Sequence, residues 1–215
     1  MTIRIVVAGT DTDVGKTVFA AALTRSLEGY YWKPVQAGLS GETDSATVAR
    51  LGDLADGRIL PEVYRLATPA SPHFASERDG LEIDARKLSP FGLPTPLVVE
   101  TAGGLMVPLT RRQLQIDILA QWRLPVVLCA STRLGTINHS LLSIEALKRR
   151  AIPILGIAFI GDANADSERT IAAFGGVRRL GRLPRLATLD AENLQRAFDE
   201  NFSVADLIDI GAVGP

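Results

Sequence analysis

The chain has 215 residues, of which 47% are hydrophobic, so it can bury a sizeable core and is unlike a disordered segment. Its 23 Lys and Arg residues nearly balance its 24 Asp and Glu residues, which gives no electrostatic reason to expect nucleic acid as a partner. No run approaches the roughly 18 apolar residues of a membrane span, and the N-terminus lacks a signal-peptide pattern. We therefore expect one cytoplasmic domain over residues 1–215, with no membrane partner.

Four apolar runs predict buried strands. They are rich in Val, Ile and Leu without clean polar alternation, which is typical of parallel strands covered on both faces. These runs are residues 3–9, 96–103, 125–131 and 153–161. Two further segments, 30–38 and 178–184, are interpreted as strands with their exits.

Helical patterns lie between the strands. They cover residues 15–29, 113–123, 138–150 and 190–200, with Gly29 as an expected helix end and Asn138 and Asp190 as expected helix starts. Residues 40–95 are less regular, and we expect a helical excursion over one side of the sheet. The alternation predicts a three-layer α/β fold, with a mostly parallel central sheet flanked by helices and right-handed crossovers.

The segment GTDTDVGKT, residues 9–17, joins the first strand to the first helix. A helix N-terminus binds phosphate well, because its N–H groups are unpaired and its dipole is positive there. Gly15 would let the backbone approach phosphates, Lys16 would reach the β and γ phosphates, and Thr17 would ligate Mg²⁺. Five residues rather than four separate Gly9 from Gly15. The segment predicts a variant P-loop and a P-loop NTPase-like fold; the alternative is a polar turn with a chance Gly-Lys-Thr.

This loop resembles that of the dethiobiotin synthetase family, which reads Gly-Thr-Asp-Thr-x-Val-Gly-Lys-Thr. Related partitioning ATPases carry a second lysine early in the loop, which this chain lacks. Four later segments are similar to family segments in the same order: KPVQAG (33–38), VVETAGG (98–104), STRLGTINHSLLS (131–143) and GRLPRLATLDAENL (181–194). The resemblance spans about residues 3–200.

The resemblance implies an ATP-dependent synthetase of biotin biosynthesis. Such an enzyme closes a ureido ring from 7,8-diaminopelargonic acid and CO₂, through a carbamate and a carbamic–phosphoric anhydride. ATP would be a co-substrate and Mg²⁺ the metal cofactor. A homodimer with its site at the subunit interface is also implied.

The resemblance further implies roles for individual residues. Catalytic roles would belong to Thr12, Lys16 and Lys33, and the metal ligands would be Thr17, Asp44 and Glu100. The nucleotide site would comprise Thr12, Asp13, Val14, Gly15, Lys16, Thr17, Asp44, Glu100, Ala102, Gly103, Gly161, Pro184, Arg185 and Leu186. The substrate site would comprise Thr12, Lys33, Ala37, Gly135, Thr136, Ile137 and Asn138.

Elementary chemistry bears on four of these assignments. A carboxylate such as Glu100, emerging from an apolar strand, is costly unless it is paired or bound to metal. Asp44 has an alternative as a plain helix N-cap, and Lys33 as a solvated lysine before a proline turn. Residues 135–138 would begin a helix and present N–H groups to an anion, which in the family is the substrate carboxylate of the neighbouring subunit.

Three residues depart from the family pattern. Ala37 replaces a Ser or Thr expected to contact substrate. Thr101 replaces a glycine, and we expect its branched side chain to forbid positive φ and to crowd nearby phosphate. Ile160 replaces an asparagine that reads adenine in many members, so we expect a relaxed nucleotide preference.

Two other functions are compatible with a variant loop of this kind. A cobyrinic-acid amide synthetase shares the variant loop but needs an extra glutaminase domain with a Cys nucleophile. The lone Cys129 lies in an apolar run, without an adjoining basic residue, and is interpreted as an inert core thiol. A nucleotide-dependent regulatory or partner-binding switch, without diamine chemistry, remains the alternative function. His73 and His139 are assigned no chemical role.

Overall fold

The computed structural model describes residues 3–208 and contains a parallel central sheet. The strands are β1 (Arg4–Gly9), β2 (Tyr30–Trp32), β3 (Val35–Ala37), β4 (Ile59–Leu60), β5 (Tyr64–Leu66), β6 (Leu97–Gly104), β7 (Val126–Ser131), β8 (Ile154–Ile160) and β9 (Arg179–Leu183). Seven of them form one sheet in the order β4-β2-β6-β1-β7-β8-β9, and every neighbouring pair is parallel. The expected parallel sheet is confirmed.

Helices cover both faces of this sheet. They are α1 (Lys16–Ser26), α2 (Asp44–Leu51), α3 (Pro72–Arg78), α4 (Gln115–Trp122), α5 (Thr136–Arg149), α6 (Ala165–Gly175), α7 (Ala191–Asn201) and α8 (Val204–Ile208). One hydrophobic cluster joins the sheet to α1, α2 and α7, and a second joins the opposite face to α4, α5 and α6. The three-layer α/β architecture is thereby confirmed. None of the helices within residues 3–208 has the length and apolarity to cross a membrane.

Aromatic packing anchors the helix that follows the glycine-rich loop. Phe19 of α1 contacts Phe198 of α7 at a ring-centroid distance of 5.7 Å and Phe202 at 5.3 Å. All three rings are buried, and such pairs add stabilisation beyond the area that they bury. The packing fixes α1 on the sheet, so the N-terminus of α1 has a defined position at the ends of β1 and β6.

Segment 30–38 divides into two strands that belong to different sheets. β2 lies in the central sheet, whereas β3 pairs with β5 in a separate two-stranded sheet. The break falls at Lys33 and Pro34, because proline has no N–H for a strand ladder. The Pro34 carbonyl instead accepts hydrogen bonds from the N–H groups of Val63 and Tyr64.

Two predicted boundaries and one predicted region were wrong. Helix α1 ends at Ser26, and Glu28 rather than Gly29 takes the left-handed conformation, at φ 48°. Helix α5 begins two residues before Asn138, with Gly135 as its N-cap at φ 95°. Residues 40–95 contain two short helices but also β4 and β5, so they are not simply a helical excursion.

Candidate active site

The glycine-rich loop takes two left-handed residues between β1 and α1. Asp13 has φ 55°, and Gly15, the N-cap of α1, has φ 94°. A side chain at position 15 would be strained by this φ, and its Cβ would also lie 2.8 Å from Cγ2 of Ile160. Glycine is therefore needed where the loop passes the end of β8.

The lysine of this loop, Lys16, is buried and contacts the loop backbone. Its ammonium, on Lys16, donates a hydrogen bond to the carbonyl oxygen of Asp11 at 2.9 Å. Burial lowers the pKa of Lys16 below its ordinary value, and the nearby charge of Lys33 adds to this, although Glu100 acts in the opposite direction. A phosphate group at the helix N-terminus would supply the negative charge that this ammonium lacks.

Oxygen atoms from three distant parts of the chain meet at the start of α1. The Thr17 hydroxyl lies 2.9 Å from Oδ1 of Asp44 and 2.9 Å from Oε1 of Glu100. Thr17 is the second residue of α1, Asp44 the first of α2, and Glu100 the fourth of β6. The structure thus brings together the three residues that the family resemblance implies as metal ligands.

A buried ammonium group bridges the two carboxylates. Nζ of Lys33 lies 2.6 Å from Oδ2 of Asp44 and 2.9 Å from Oε1 of Glu100. Glu100 is 1% exposed and Lys33 is 4% exposed, so both charges are desolvated. Burial opposes the charge of Lys33, but Glu100 and Asp44 outweigh it and raise the lysine pKa. Burial likewise opposes the charge of Asp44, but Lys33 outweighs it and lowers the aspartate pKa. Lys33 is therefore not a solvated lysine.

This oxygen cluster suits a hard cation. The Thr17 hydroxyl has one proton but faces two carboxylate oxygens at 2.9 Å, so it can donate to only one of them at a time. The Thr17 oxygen and the other carboxylate oxygen then face each other at 2.9 Å without a proton between them. Mg²⁺ prefers oxygen ligands of this kind, usually one or two carboxylates together with phosphate oxygens and water. The donor set thus fits magnesium.

The role of Asp44 as a helix cap is not needed. Thr43 is the N-cap of α2, and its hydroxyl accepts from the N–H of Ala46. The N–H of Asp44 itself donates to the side-chain oxygen of Gln36. The Asp44 carboxylate is thereby free to face Thr17 and Lys33, and the N-cap interpretation of this residue was wrong.

The end of β6 passes close to the glycine-rich loop. Gly103 has φ 65°, and a Cβ there would lie 3.0 Å from Val107 and 3.5 Å from the Thr12 hydroxyl. Gly104 pairs with Gly9 of β1. Ala102, between Glu100 and these glycines, is half-buried. The two glycines therefore let the strand approach the loop.

Thr101 lies in a backbone conformation that its branched side chain permits. It lies inside β6 with 1% exposure, and it is not among the residues of 3–208 with positive φ. Its hydroxyl donates to the carbonyl of Val7 at 3.5 Å. The position needs no left-handed backbone, and the side chain is buried against β1. Crowding of a bound phosphate by Thr101 remains a prediction.

The ends of β8 and β9 form the other side of the loop. Ile160 pairs with Leu183 and packs over Gly15, so it presents only apolar atoms. Gly161 follows at φ 131°, where a Cβ would lie 2.5 Å from the Thr132 hydroxyl.

The segment after β9 comprises Pro184, Arg185 and Leu186. Arg185 is exposed and forms an ion pair with Asp162 at 3.4 Å, and Leu186 packs on the core.

Residues 135–138 do not join this cluster within one chain. Gly135 and Asn138 are exposed, Ile137 is half-buried, and Thr136 is buried with its hydroxyl donating to the Ser131 carbonyl. Within residues 3–208, no hydrogen bond or ion pair connects them to the lysines or carboxylates described above. Ala37, which was also predicted for the substrate site, is half-buried at the end of β3.

Tyr31 also belongs to the cluster, although no motif in the sequence indicated it. This residue is fully buried in β2, and its hydroxyl donates to Oε2 of Glu100 at 2.9 Å. Burial raises the pKa of Tyr31 well above its ordinary value, and the Glu100 charge adds to this, so the phenol stays neutral. A tyrosine two residues before Lys33 in an apolar strand was the available signal.

Solved structures and a family model are similar to this chain. Septum site-determining protein MinD from Pyrococcus horikoshii OT3, complexed with Mg-ADP, superposes with a TM-score of 0.56 at 15% identity, covering 92% of this chain and 86% of that one. A ParA family ATPase from Chlorobium tepidum TLS gives 0.51 at 10% identity, covering 98% and 97%. At such identities they show the fold alone. A family model described as AAA domain matches residues 3–193. The fold and the loop define a P-loop nucleotide-binding protein.

Relatives found by sequence identify the family more specifically than these structures do. ATP-dependent dethiobiotin synthetase BioD of Rhodopseudomonas palustris (strain HaA2) is 62% identical over 208 residues, which cover 97% of this chain and 98% of the relative. The protein of the same name from Agrobacterium fabrum (strain C58) is 58% identical over 212 residues, covering 99% and 100%. The chain belongs to the family of ATP-dependent dethiobiotin synthetases, which confirms the resemblance seen in its motifs.

Proposed function

We propose that this protein forms dethiobiotin from 7,8-diaminopelargonic acid, CO₂ and ATP, with release of ADP and phosphate. The observation that carries the proposal is the convergence of Thr17, Lys33, Asp44 and Glu100 at the N-terminus of α1. The identity of about 60% to dethiobiotin synthetases over nearly the whole chain supports it. The proposed unit is one domain over residues 1–215, and its cytoplasmic location remains a prediction.

The first step is phosphoryl transfer to a carbamate. CO₂ adds to one amine of the substrate, which loses a proton and becomes a carbamate. A carbamate oxygen then attacks the γ-phosphorus while the bond from this phosphorus to the ADP oxygen breaks. Such transfer depends mainly on positioning and on neutralising charge. Lys16, at the helix N-terminus, holds the phosphates, while Lys33 and Thr12 orient the carbamate. Mg²⁺, held by Thr17, Asp44 and Glu100, would neutralise phosphate charge when bound.

The second step closes the ring. The neighbouring amine attacks the carbonyl carbon of the anhydride, the bond from carbon to the phosphate oxygen breaks, and the amine loses a proton. Phosphate is a good leaving group, so no nucleophilic side chain is required. Cys129 is fully buried and burial raises its pKa, which agrees with a core thiol. The remaining nucleotide contacts are proposed for Asp13, Val14, Gly15 and the residues at the ends of β6, β8 and β9.

We further propose that the site is completed by a second copy of the chain. At the N-terminus of α5, where Gly135 and Asn138 are exposed, N–H groups can face a carboxylate. Within residues 3–208, however, this helix end has no hydrogen bond or ion pair to Lys33, Asp44 or Glu100 of its own chain. In a homodimer with a shared site, this helix end would hold the tail of the substrate bound by the partner, and Ala37 would lie on the diamine side.

A mixing experiment tests this arrangement. Lys33→Gln removes the lysine charge, and Asn138→Asp places a negative charge beside the substrate carboxylate, so each would impair both sites of a homodimer. A heterodimer of the two would keep one intact site. Random mixing of the two slow variants should restore about a quarter of wild-type turnover. A mixture no faster than its components would show that both residues serve a site within one chain.

The nucleotide preference is expected to be broad. Ile160 presents no donor or acceptor, and a site without a hydrogen bond to the base discriminates weakly. We expect kcat/KM for ATP to exceed that for CTP and GTP by less than about 100-fold. Ile160→Asn should increase the preference for ATP, whereas the control Ile160→Val should not. A larger preference in the wild type contradicts the hypothesis.

Product analysis tests the proposed reaction against a nucleotide-dependent switch. With ATP, Mg²⁺, bicarbonate and the diamine, the synthetase should form dethiobiotin, ADP and phosphate in equal amounts. Leaving out the diamine or the bicarbonate should stop phosphate release. A regulatory switch would instead release phosphate without the diamine, and that result would overturn the proposal.

A further inference from the structure

The two oxygens of the Glu100 carboxylate have different partners. Oε1 lies 2.9 Å from both the Thr17 hydroxyl and the Lys33 ammonium, on the side of Asp44. Oε2 has one hydrogen-bond partner among residues 3–208, the hydroxyl of Tyr31 at 2.9 Å. Both oxygens of the carboxylate are therefore held by hydrogen bonds.

The position of Tyr31 is set by the sheet and its apolar cover. Tyr31 pairs with Val98 of β6, two residues before Glu100 on the same strand. Its ring lies in the hydrophobic cluster beneath α1 and α2, with 0% exposure. Neither the ring nor the hydroxyl can move far without disturbing this packing, so the donor is rigid.

We propose that Tyr31 is a positioning residue that turns Glu100 so that only Oε1 faces Thr17 and Asp44. This inference rests on the proposed magnesium site. With Oε2 engaged by Tyr31, Glu100 offers a single oxygen to the cation. Hydrogen bonds of this kind fix the orientation of a metal ligand, and their loss typically weakens metal binding by about 10–100-fold.

The chain contains a matched pair of substitutions for the test. Tyr31→Phe removes the hydroxyl and keeps the ring in its apolar surroundings. Tyr30→Phe makes the same change one residue earlier, where the half-buried ring stacks under Arg58 and the hydroxyl has no hydrogen bond within the described residues. The two variants differ in whether Glu100 loses a donor.

The experiment measures ADP affinity by calorimetry, once with Mg²⁺ and once with EDTA. The ratio of the two dissociation constants reports the metal contribution without any catalytic turnover. We expect Tyr31→Phe to reduce this ratio by about 10-fold, with ADP affinity in EDTA unchanged, and Tyr30→Phe to behave as the wild type. Titration of Mn²⁺ by electron paramagnetic resonance in the presence of ADP should show the same weakening.

Other outcomes overturn the inference in distinguishable ways. An unchanged ratio in Tyr31→Phe would show that the hydroxyl does not position Glu100 for metal. Equal losses with and without Mg²⁺ would assign Tyr31 a structural role alone. A wild type that gains no ADP affinity from Mg²⁺ would overturn the metal site itself. None of these results depends on whether dethiobiotin is formed, so failure of the proposed reaction would be seen separately.

Discussion

Replacing Lys16 with glutamine is expected to lower kcat for dethiobiotin formation by about 10²–10³-fold, because a fixed charge at the transferring phosphate is lost. The ammonium lies at the N-terminus of α1, where the helix dipole and the free N–H groups already favour an anion. Glutamine is one atom shorter than lysine and uncharged, but it keeps a side-chain N–H donor near the Asp11 carbonyl, so the loop should keep its shape. The measurement is the rate of dethiobiotin formation at saturating ATP, diamine and bicarbonate.

Lys87→Gln is the matched control for this variant. Lys87 is exposed in the short 3₁₀ turn Ala85–Lys87, away from the loop, and its replacement should leave kcat unchanged. Turnover of Lys16→Gln within about twofold of the wild type would contradict a phosphate-binding role, because the loss of a transition-state charge contact cannot be so small.

Replacing Lys33 with methionine is expected to reduce both stability and activity. The variant leaves the 1% exposed carboxylate of Glu100 beside Asp44 without the ammonium that bridges them. Removing one partner of a buried ion pair costs about 3–5 kcal/mol. For a chain of this size, that loss lowers Tm by roughly 6–20 °C. Turnover should fall at least about 10-fold, because the carbamate loses its positive partner.

The pH dependence of this stability difference follows from the two pKa shifts. The raised pKa of Lys33 means that its contribution is complete below the unfolded lysine pKa and is lost as pH rises through the folded value. The lowered pKa of Asp44 means that its contribution is complete above the unfolded aspartate pKa and is lost as pH falls through the folded value. The difference should therefore be constant from about pH 5 to 9.

Calorimetric unfolding in EDTA, over this pH range, measures the difference. The double variant Lys33→Met/Glu100→Gln has the same net charge at this cluster as the wild type and should regain part of the lost Tm. Mg²⁺ with ADP should reduce the difference in Tm between the wild type and Lys33→Met. A Lys33→Met protein as stable as the wild type would show that the lysine does not compensate the buried carboxylates.

The parts of the site that could be predicted from sequence are those contiguous in the chain. The apolar strand β1, the loop at residues 9–17 and the helix α1 follow one another, so local pattern and motif are sufficient. Helix α7 was likewise predicted from Asp190, whose side chain accepts from the Asn193 N–H. Helix α6 was missed, although Asn164 is its N-cap and provided a signal of the same kind.

The contacts between distant segments could not be predicted from local pattern. Lys33 and Glu100 meet because β2 and β6 are neighbours in the sheet, and strand order is not encoded in either strand alone. Thr43 and Asp44 are both good N-caps by residue type, and only the hydrogen bond from the Ala46 N–H distinguishes them. The burial of Thr101 against Val7 required the register of β1 with β6.

The measurement that tests the proposed reaction most directly is transfer of oxygen from bicarbonate to phosphate. A carbamate oxygen that attacks the γ-phosphorus leaves with the phosphate when the second amine closes the ring. With ¹⁸O-labelled bicarbonate and short reaction times, each phosphate released should carry one labelled oxygen, and dethiobiotin should form in equal amount. Phosphate whose new oxygen comes from the solvent would mean that water, not a carbamate, receives the phosphoryl group, and would contradict the proposed function.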